Sequence, residues 1–553
     1  MHSGLTKLVS FTLAAAICCW PVSPAFANGN DWGGGNATPI RHLVVIFNEN
    51  ISFDHYFATY PNATNPSGES HFRARPGTPT VNGLSGALLT NNPNALNTTG
   101  NGAGATNPFR LDPSQAATAD QGHNYGPEQS ATHAGLLDLY PASTGTAGAP
   151  PNAPPMAVTT KGLTMGYYDG NTVTALWNYA QHFAMSDNSY SSTFGPSTPG
   201  LLNLVAGQTN GIGPMSFGVS ASKVVGGMSS SNPTGGTLIG DTDPYGDVCS
   251  STSAQVQMTS QNIGDLLTAA GVTWGAFMGG FNLSTTNSNG TTKCARSSTG
   301  IPGTTADYIP HHAFFQYFAS TANPTHARPA SESEIGNGGA ANHQYDLEDF
   351  YTAIKAGNLP AVSFIKPIAL QDGHAGYSDP LDEQIGIVTV VNALMESRYW
   401  KDTAVVILYD DSDGWYDHQM GPIVNQSTSP ADTLSGPGAC GNGTNTSLAG
   451  ADATTTPHAQ GRCGYGVRQP LLVISPWARD NFVDHTLTDQ SSVIRFIEDN
   501  WLGGQRLAGG SFDSVANSIV QMFDFSQDQF FLGDRVLILQ PTTGQPANPY
   551  GQW

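Results

Sequence analysis

The sequence predicts an α/β fold with a mainly parallel central sheet flanked by helices, on three observations. Continuous apolar runs of strand length recur along the chain, as in Leu43-Val44-Val45-Ile46-Phe47, Ala404-Val405-Val406-Ile407-Leu408 and Leu471 to Ser475. Such runs suit strands buried on both faces of a sheet. Stretches with apolar residues at helical spacing alternate with them. Two of the runs stop abruptly in oxygen-bearing side chains, Glu49-Asn50 and Asp410-Asp411. These fall at the carboxyl ends of strands, where open α/β sheets hold their ligands.

The first strand runs from His42 into Asn48, and Ser52 is placed to cap a helical turn through Phe57. Taken alone, Glu49 and Asn50 could simply close a strand; as paired hard oxygens they suit a cation such as Mg²⁺ or Ca²⁺. Residues 58–120 are rich in Asn, Gly, Pro, Thr and Ala and read as a long ordered loop. His123 follows in a loop, where a histidine is usually plain surface, and then a polar stretch with His133. Residues 140–157 read as a connector, and Thr172 to Phe183 as an amphipathic helix. In Phe194-Gly195-Pro196-Ser197-Thr198-Pro199-Gly200, the hydroxyls precede a proline suited to a first helical turn. A hydroxyl there feels the helix dipole and free amides, which stabilise an alkoxide or a phosphate; the plainer reading is an ordinary cap.

A Gly/Ser/Thr-rich stretch at about 205–260, strand-like in patches, predicts an insertion beside the sheet. Then come a short helix at Ile263–Ala270, a strand at Val272–Phe277 and the adjacent His311-His312 before an aromatic cluster. A helix over Tyr345–Ala356, a strand over Ala361–Lys366 and a loop with His374 follow, then a long helix over Leu381–Tyr399. The strand from Ala404 ends in Asp410-Asp411-Ser412-Asp413-Gly414, which resembles only part of a calcium loop. Packed carboxylates are costly unless a cation or donors compensate them. Ser491–Trp501 is the last predicted helix, and the tail is loop-rich.

The chain has 553 residues and a formal charge of −21 with only 20 Lys and Arg. So few cations cannot build a nucleic-acid surface, and anionic membranes should repel such a protein. Lys7, the apolar segment Leu8 to Trp20 and Ala25-Phe26-Ala27 read as an export signal over residues 1–27. The expected destination is periplasmic or extracellular, with no membrane anchor. Cys249, Cys294, Cys440 and Cys463 remain after its removal, and an even number in an exported chain argues for two disulfides. Chain order suggests 249–294 and 440–463, but four cysteines allow three pairings.

Five ordered motifs, E-N-x-S-F-D-H-Y-F at 49–57, F-G-P-S-T-P-G at 194–200, H-H at 311–312, D-G-H at 372–374 and Y-D-D-S-D-G-W-Y-D-H at 409–418, resemble one family. It is the bacterial phosphoesterase family of secreted acid phosphatases and phospholipases C, which has an alkaline-phosphatase-like fold. The resemblance implies a catalytic domain over residues 28–553. It implies metal ligands at Glu49, Asn50, Asp410 and Asp411, and a nucleophile that also touches the metal at Ser197. It places His123, His312 and His374 around the phosphoryl oxygens. Phospholipase members usually carry Thr where this chain has Ser197 and Asn where it has Gly200, and the larger ones append β-rich modules. Both departures point to the acid phosphatase branch. The Cys motif of sulfatase relatives is absent.

The expected function is therefore a metal-dependent phosphomonoesterase working through a phosphoserine, with His312 or His374 as a cationic acid. Phospholipase C action on head-group diesters is the alternative, and a non-catalytic binding protein with a metal-stabilised acidic site the remote one. Oxygen donors favour Mg²⁺, Ca²⁺ or Mn²⁺, and the nearby His374 keeps Zn²⁺ open. The expected partner is a small phosphoester or a phospholipid head group; oligomeric state is not legible.

Overall fold

Burial on both faces explains the apolar run that opens the domain. Residues 43–47 have no solvent exposure, and His42–Asn48 forms the central strand β1. The computed structural model describes residues 35–148, 159–229, 234–441, 459–527 and 535–547. The expected export signal, residues 1–27, lies outside the described residues.

The other strands of the main sheet are Ala184–Ser186 (β2), Trp274–Met278 (β3), Gln344–Asp346 (β4), Val362–Lys366 (β5), Thr403–Tyr409 (β6), Leu471–Ile474 (β7) and Phe482–Asp484 (β8). They lie in the order β4-β3-β5-β1-β6-β7-β2-β8. Only β7 runs antiparallel to its neighbours, so the sheet is mainly parallel, as predicted. The register pairs Ile46 with Ile365 and Asn48 with Tyr409. Glu49 and Asn50 therefore leave the sheet level with Asp410 and Asp411, with Lys366 at the end of the strand on the other side.

Helices at Thr174–His182, Ser197–Ala206, Ile263–Ala270, Leu347–Ala356, Pro380–Met395 and Ser491–Trp501 account for the predicted ones. Their ends follow local chemistry. Asp346 caps the Leu347 helix in a reciprocal box with Asp349, so Tyr345 belongs to a strand and not to the helix. Asp379 and Pro380 start the long helix, which ends at Met395, short of Tyr399. Ser52 caps Phe53–Phe57 by accepting from the His55 amide at 3.3 Å.

The 58–120 stretch carries three four-residue helices at Ala87–Thr90, Pro93–Leu96 and Thr98–Asn101. Tyr125–Thr132, read as a polar stretch, is helical. Between 208 and 260 a two-stranded ribbon pairs Val224–Val225 with Thr237–Leu238. Disulfides join Cys249 to Cys294 and Cys440 to Cys463, the pairing that chain order suggests. Among the described residues no helix is long and apolar enough to cross a membrane.

Candidate active site

Three neighbouring strands deliver their last residues to one point. Lys366 ends β5, Glu49 and Asn50 follow β1, and Asp410 and Asp411 follow β6. Ser197, first residue of the Ser197–Ala206 helix, completes the group. Its Oγ lies 2.9 Å from Glu49 Oε2 and 3.4 Å from Asp411 Oδ2. All of these residues are buried. The helix is held against the acidic strand end by Gly200, where a Cβ would lie 2.3 Å from the Asp410 carbonyl oxygen.

Asn50 adopts a left-handed conformation, with φ of 59°, which turns the chain back over the sheet edge. Its backbone N–H donates to Asp410 Oδ1 at 2.9 Å. The two terminal atoms of its side-chain amide lie 2.8 Å from Glu49 Oε2 and 3.1 Å from His374 Nε2. With Nδ1 of His374 on the Ala375 carbonyl, Nε2 accepts from the Asn50 amide nitrogen and the Asn50 oxygen faces the carboxylates. Lys366 Nζ pairs with Glu49 Oε1. His312 Nδ1 stands 3.3 Å from the same oxygen and 3.8 Å from Asp372 Oδ2. His123 Nδ1 lies 3.1 Å from Asp413 Oδ1 and 3.4 Å from Asp120 Oδ1, and its ring packs at 5.7 Å on His374. All eight residues singled out in the sequence thus meet at one rim.

Charge is poorly balanced there. Glu49, Asp372, Asp410 and Asp411 are fully buried within one cluster, and Lys366 is its one ammonium among the described residues. Burial first, then the charge of Glu49, pushes the Asp410 carboxyl up to about 7. Asp411 and Asp372 are raised well above the usual range, again by burial first and then by neighbouring carboxylates. Asp410 Oδ2 is buried without any hydrogen-bond donor. An orphaned carboxylate oxygen among like charges is the environment that a divalent cation relieves. Glu49, Asn50, Asp410, Asp411 and Ser197 fit such an ion by donor type.

The histidines divide in a way the sequence did not suggest. Burial opposes the charge of His123, whose Nδ1 meets the Gln121 carbonyl oxygen at 2.9 Å, but the negative charge of Asp411 and of the adjacent Asp120 and Asp413 outweighs it and raises this imidazole well above its usual value. Burial lowers His374 to about 4, and burial with His311 and Lys366 lowers His312 well below the usual range. His123, and not His312 or His374, is the imidazole held cationic near neutral pH.

A second difference concerns the helix end. The Thr198 amide already donates to Asp241 Oδ1 at 2.9 Å, Pro199 has no N–H, and the Gly200 amide turns back to the Pro196 carbonyl at 3.4 Å. Of the first-turn amides, only that of Ser197 itself remains for an anion.

Sequence reasoning missed Lys366, Asp120 and Asp413, and gave no role to Asp372. A lysine closing a fully buried strand was the available signal for Lys366. Asp413 helps keep His123 charged and also accepts from the Gln121 amide at 3.3 Å, so Asp411-x-Asp413-Gly414 is not built as a calcium loop.

Fold and site together define an α/β protein with the groups of an ester hydrolase: a hydroxyl, adjacent proton acceptors, a cation-ready acidic cluster and a cationic imidazole. The chain belongs to the phosphoesterase family, whose sequence model matches residues 40–502. It is similar to a non-hemolytic phospholipase C of Pseudomonas aeruginosa, 24% identical over 511 residues, covering 89% of this chain and 58% of that one. It is also 24% identical over 507 residues to phospholipase C A of Mycobacterium tuberculosis, covering 89% and 79%. The chain thus spans just over half the length of the first of these relatives. Among solved structures, an alkaline phosphatase superfamily protein from Vibrio parahaemolyticus matches with a TM-score of 0.28 and 12% identity, over 74% of this chain and 75% of that one. Murine ectonucleotide pyrophosphatase/phosphodiesterase 5 matches with a TM-score of 0.30 and 12% identity, over 64% and 95%.

Proposed function

We propose that the protein hydrolyses phosphoric diesters of the phospholipid head-group type, with Ser197 as nucleophile. The supporting observation is the position of the Ser197 hydroxyl between Glu49 and Asp411. The sequence alone put monoesters first; relatives named as phospholipases C support the reverse order.

Glu49, Asn50, Asp410, Asp411 and Ser197 would hold a divalent cation, which when bound lowers the pKa of a hydroxyl and screens the charge of a phosphate. Glu49 Oε2 and Asp411 Oδ2 are the nearest acceptors for the Ser197 proton. The freed Ser197 oxygen attacks phosphorus, its bond to phosphorus forms as the bond to the leaving oxygen breaks, and a phosphoserine ester results. His123 carries positive charge beside this centre, oriented by the Gln121 carbonyl and kept charged by Asp120 and Asp413, and can neutralise a phosphoryl oxygen or protonate the leaving group. Water then displaces Ser197 by the reverse sequence. The cationic acid is thus assigned to His123, charged through neutral pH, and not to His312 or His374, which burial holds neutral there.

A monoesterase is the second reading. Ser197 and Gly200 stand where phospholipase members of the resemblance carry Thr and Asn, and the close Gly200–Asp410 approach leaves no room for an Asn side chain. Bis-p-nitrophenyl phosphate against p-nitrophenyl phosphate, with and without chelator, tests the proposal. Chelator-sensitive diester turnover is expected; monoester turnover alone selects the second reading, and neither substrate turning over rejects both. Two formed disulfides support an exported protein, which fits a substrate outside the cytoplasm.

A further inference from the structure

The segment 208–260 encloses a cleft of about 330 Å³ lined by Ser220, Lys223, Asp241, Asp243, Ser253 and His311, among others. That volume is at the small end of the range for small-molecule sites. Its wall touches neighbours of the reacting groups at two points. Asp241 Oδ1 accepts from the amide of Thr198, the residue after Ser197, at 2.9 Å. The His311 ring packs edge-on to His312 at 4.5 Å, and His312 Nδ1 in turn stands 3.3 Å from Glu49 Oε1. The cleft is thus one residue removed from the reacting centre on two sides.

Its lining is entirely polar or small, and among the described residues that line it none is Phe, Tyr or Trp. A quaternary ammonium donates no hydrogen bond and is held by the faces of Trp, Tyr or Phe, none of which is among the described residues lining this cleft. A primary ammonium would meet the Lys223 ammonium on the same wall. Both carboxylates have one oxygen already engaged, Asp241 Oδ1 by Thr198 and Asp243 Oδ2 by the Ser251 amide at 2.6 Å. Asp243 Oδ1 faces His311 Nδ1 at 3.6 Å, Lys223 Nζ donates to the Asp241 carbonyl oxygen, and the Ser251 and Ser253 hydroxyls bond each other at 2.8 Å. That leaves Asp241 Oδ2 to accept and the second and third Lys223 protons to donate. A wall that keeps one acceptor, Asp241 Oδ2, beside one donor, Lys223, matches neutral hydroxyls, which do both.

We propose that this cleft seats the alcohol part of the phosphoester and selects polyol head groups, such as glycerol or inositol, over choline and ethanolamine. The inference rests on the diesterase reading and assigns its substrate class. It also accounts for the 208–260 segment. Asp241 and Asp243 come from it, so one insertion both braces the Ser197 helix and recognises the head group.

The test uses dihexanoyl phospholipids as dissolved monomers, so that repulsion between a surface and the charge of −21 does not enter. For the wild-type protein, kcat/KM for phosphatidylglycerol and phosphatidylinositol is expected to exceed that for phosphatidylcholine and phosphatidylethanolamine by about tenfold or more, because a site built for hydroxyls leaves polar groups unpaired with any other guest. Ser253 is exposed at the rim, and Ser253→Trp should fill the cleft and bring that ratio to within about threefold. Asp243→Asn should lower the same ratio, mainly through KM. Equal or better turnover of phosphatidylcholine or phosphatidylethanolamine, or an unchanged ratio in Ser253→Trp, overturns the proposal. Should both variants unfold, as seen by circular dichroism, inhibition of wild-type turnover of bis-p-nitrophenyl phosphate decides: free myo-inositol competes and choline does not, or the proposal fails. Failure of the diesterase reading shows separately, as no turnover of that head-group-free diester.

Discussion

Two buried acidic clusters are made from the same two stretches of chain and are compensated in opposite ways. Asp54 and Asp417 close the motifs whose other halves supply Glu49 and Asp411. Arg468 meets both, at 3.1 Å to Asp54 Oδ1 and 3.1 Å to Asp417 Oδ1, with its guanidinium stacked 4.3 Å over Phe53. His418 Nδ1 adds a contact of 2.6 Å to Asp54 Oδ2, and the Asp54 amide donates to Asp417 Oδ2 at 3.1 Å. Every carboxylate there has a cation and amide donors, so that cluster is a clamp between the two motifs. Around Glu49 and Asp410 the protein places more carboxylates than cations and leaves Asp410 Oδ2 without a donor. The first cluster is compensated by its own residues; the second, among the described residues, is not.

The comparison breaks most directly at Ser197. Ser197→Ala removes the proposed nucleophile but no compensating charge, so turnover of bis-p-nitrophenyl phosphate should fall by a factor on the order of 10⁴ or more while the melting temperature stays within about 2 °C. Wild-type-like turnover would dismiss Ser197 as nucleophile. The compensated cluster should respond in the opposite sense. Arg468→Met strands two buried carboxylates and should cost about 3–5 kcal/mol in urea unfolding. A loss below about 1 kcal/mol would mean that the clamp does not hold the motifs together.

One half of this contrast, the acidic rim, was legible in one dimension, and the clamp at Arg468 was not. The strands β1, β6 and β7 announce themselves because burial on both faces demands unbroken apolar runs. Carboxylates directly after such runs are costly enough to signal a purpose, which is how Glu49, Asp410 and Asp411 stand out. The three-residue strands β2, β4 and β8 are too short to show a period. The Tyr125–Thr132 helix hides behind Gly126-Pro127, a breaker pair that sits harmlessly in its first turn. Lys366, Asp120 and Asp413 are single polar residues whose partners come from other strands and loops. Which of three histidines keeps its proton depends on burial and on Asp120, Asp411 and Asp413 together, and no sequence spacing encodes that sum. Nor does spacing reveal that Asp241 takes the Thr198 amide.

Gly200 sharpens the contrast from the helix side. A Cβ there would press on the Asp410 carbonyl at 2.3 Å, so Gly200→Ala must push the Ser197 helix off the acidic strand end. A displacement of about an ångström at the nucleophile is worth roughly 10²-fold in rate. The overpacking itself should cost about 1–3 kcal/mol of stability. Unchanged kcat in this variant would show that the helix need not touch Asp410 for turnover.

The smallest expected effect separates the clusters by pH. Asp410, Glu128 and Glu383 are pushed up to about 7, in each case chiefly by burial, against ordinary values near 4. A carboxyl whose folded pKa is raised keeps its proton in the folded state while the unfolded chain has lost it. Its stabilising contribution is therefore fully present below about pH 4 and is lost as pH rises through about 7. In chelator, the melting temperature should fall between pH 5 and pH 8. A divalent cation added at pH 8 should restore part of the loss, because it replaces the proton at Asp410 but not at Glu383, whose carboxylate is enclosed by Asn48, Tyr56 and Tyr409. In Asp410→Asn the pH step should shrink and the cation should restore less. A melting temperature that ignores the cation at pH 8, in a protein that still melts cooperatively, would show that the acidic rim is compensated from within, like the clamp at Arg468.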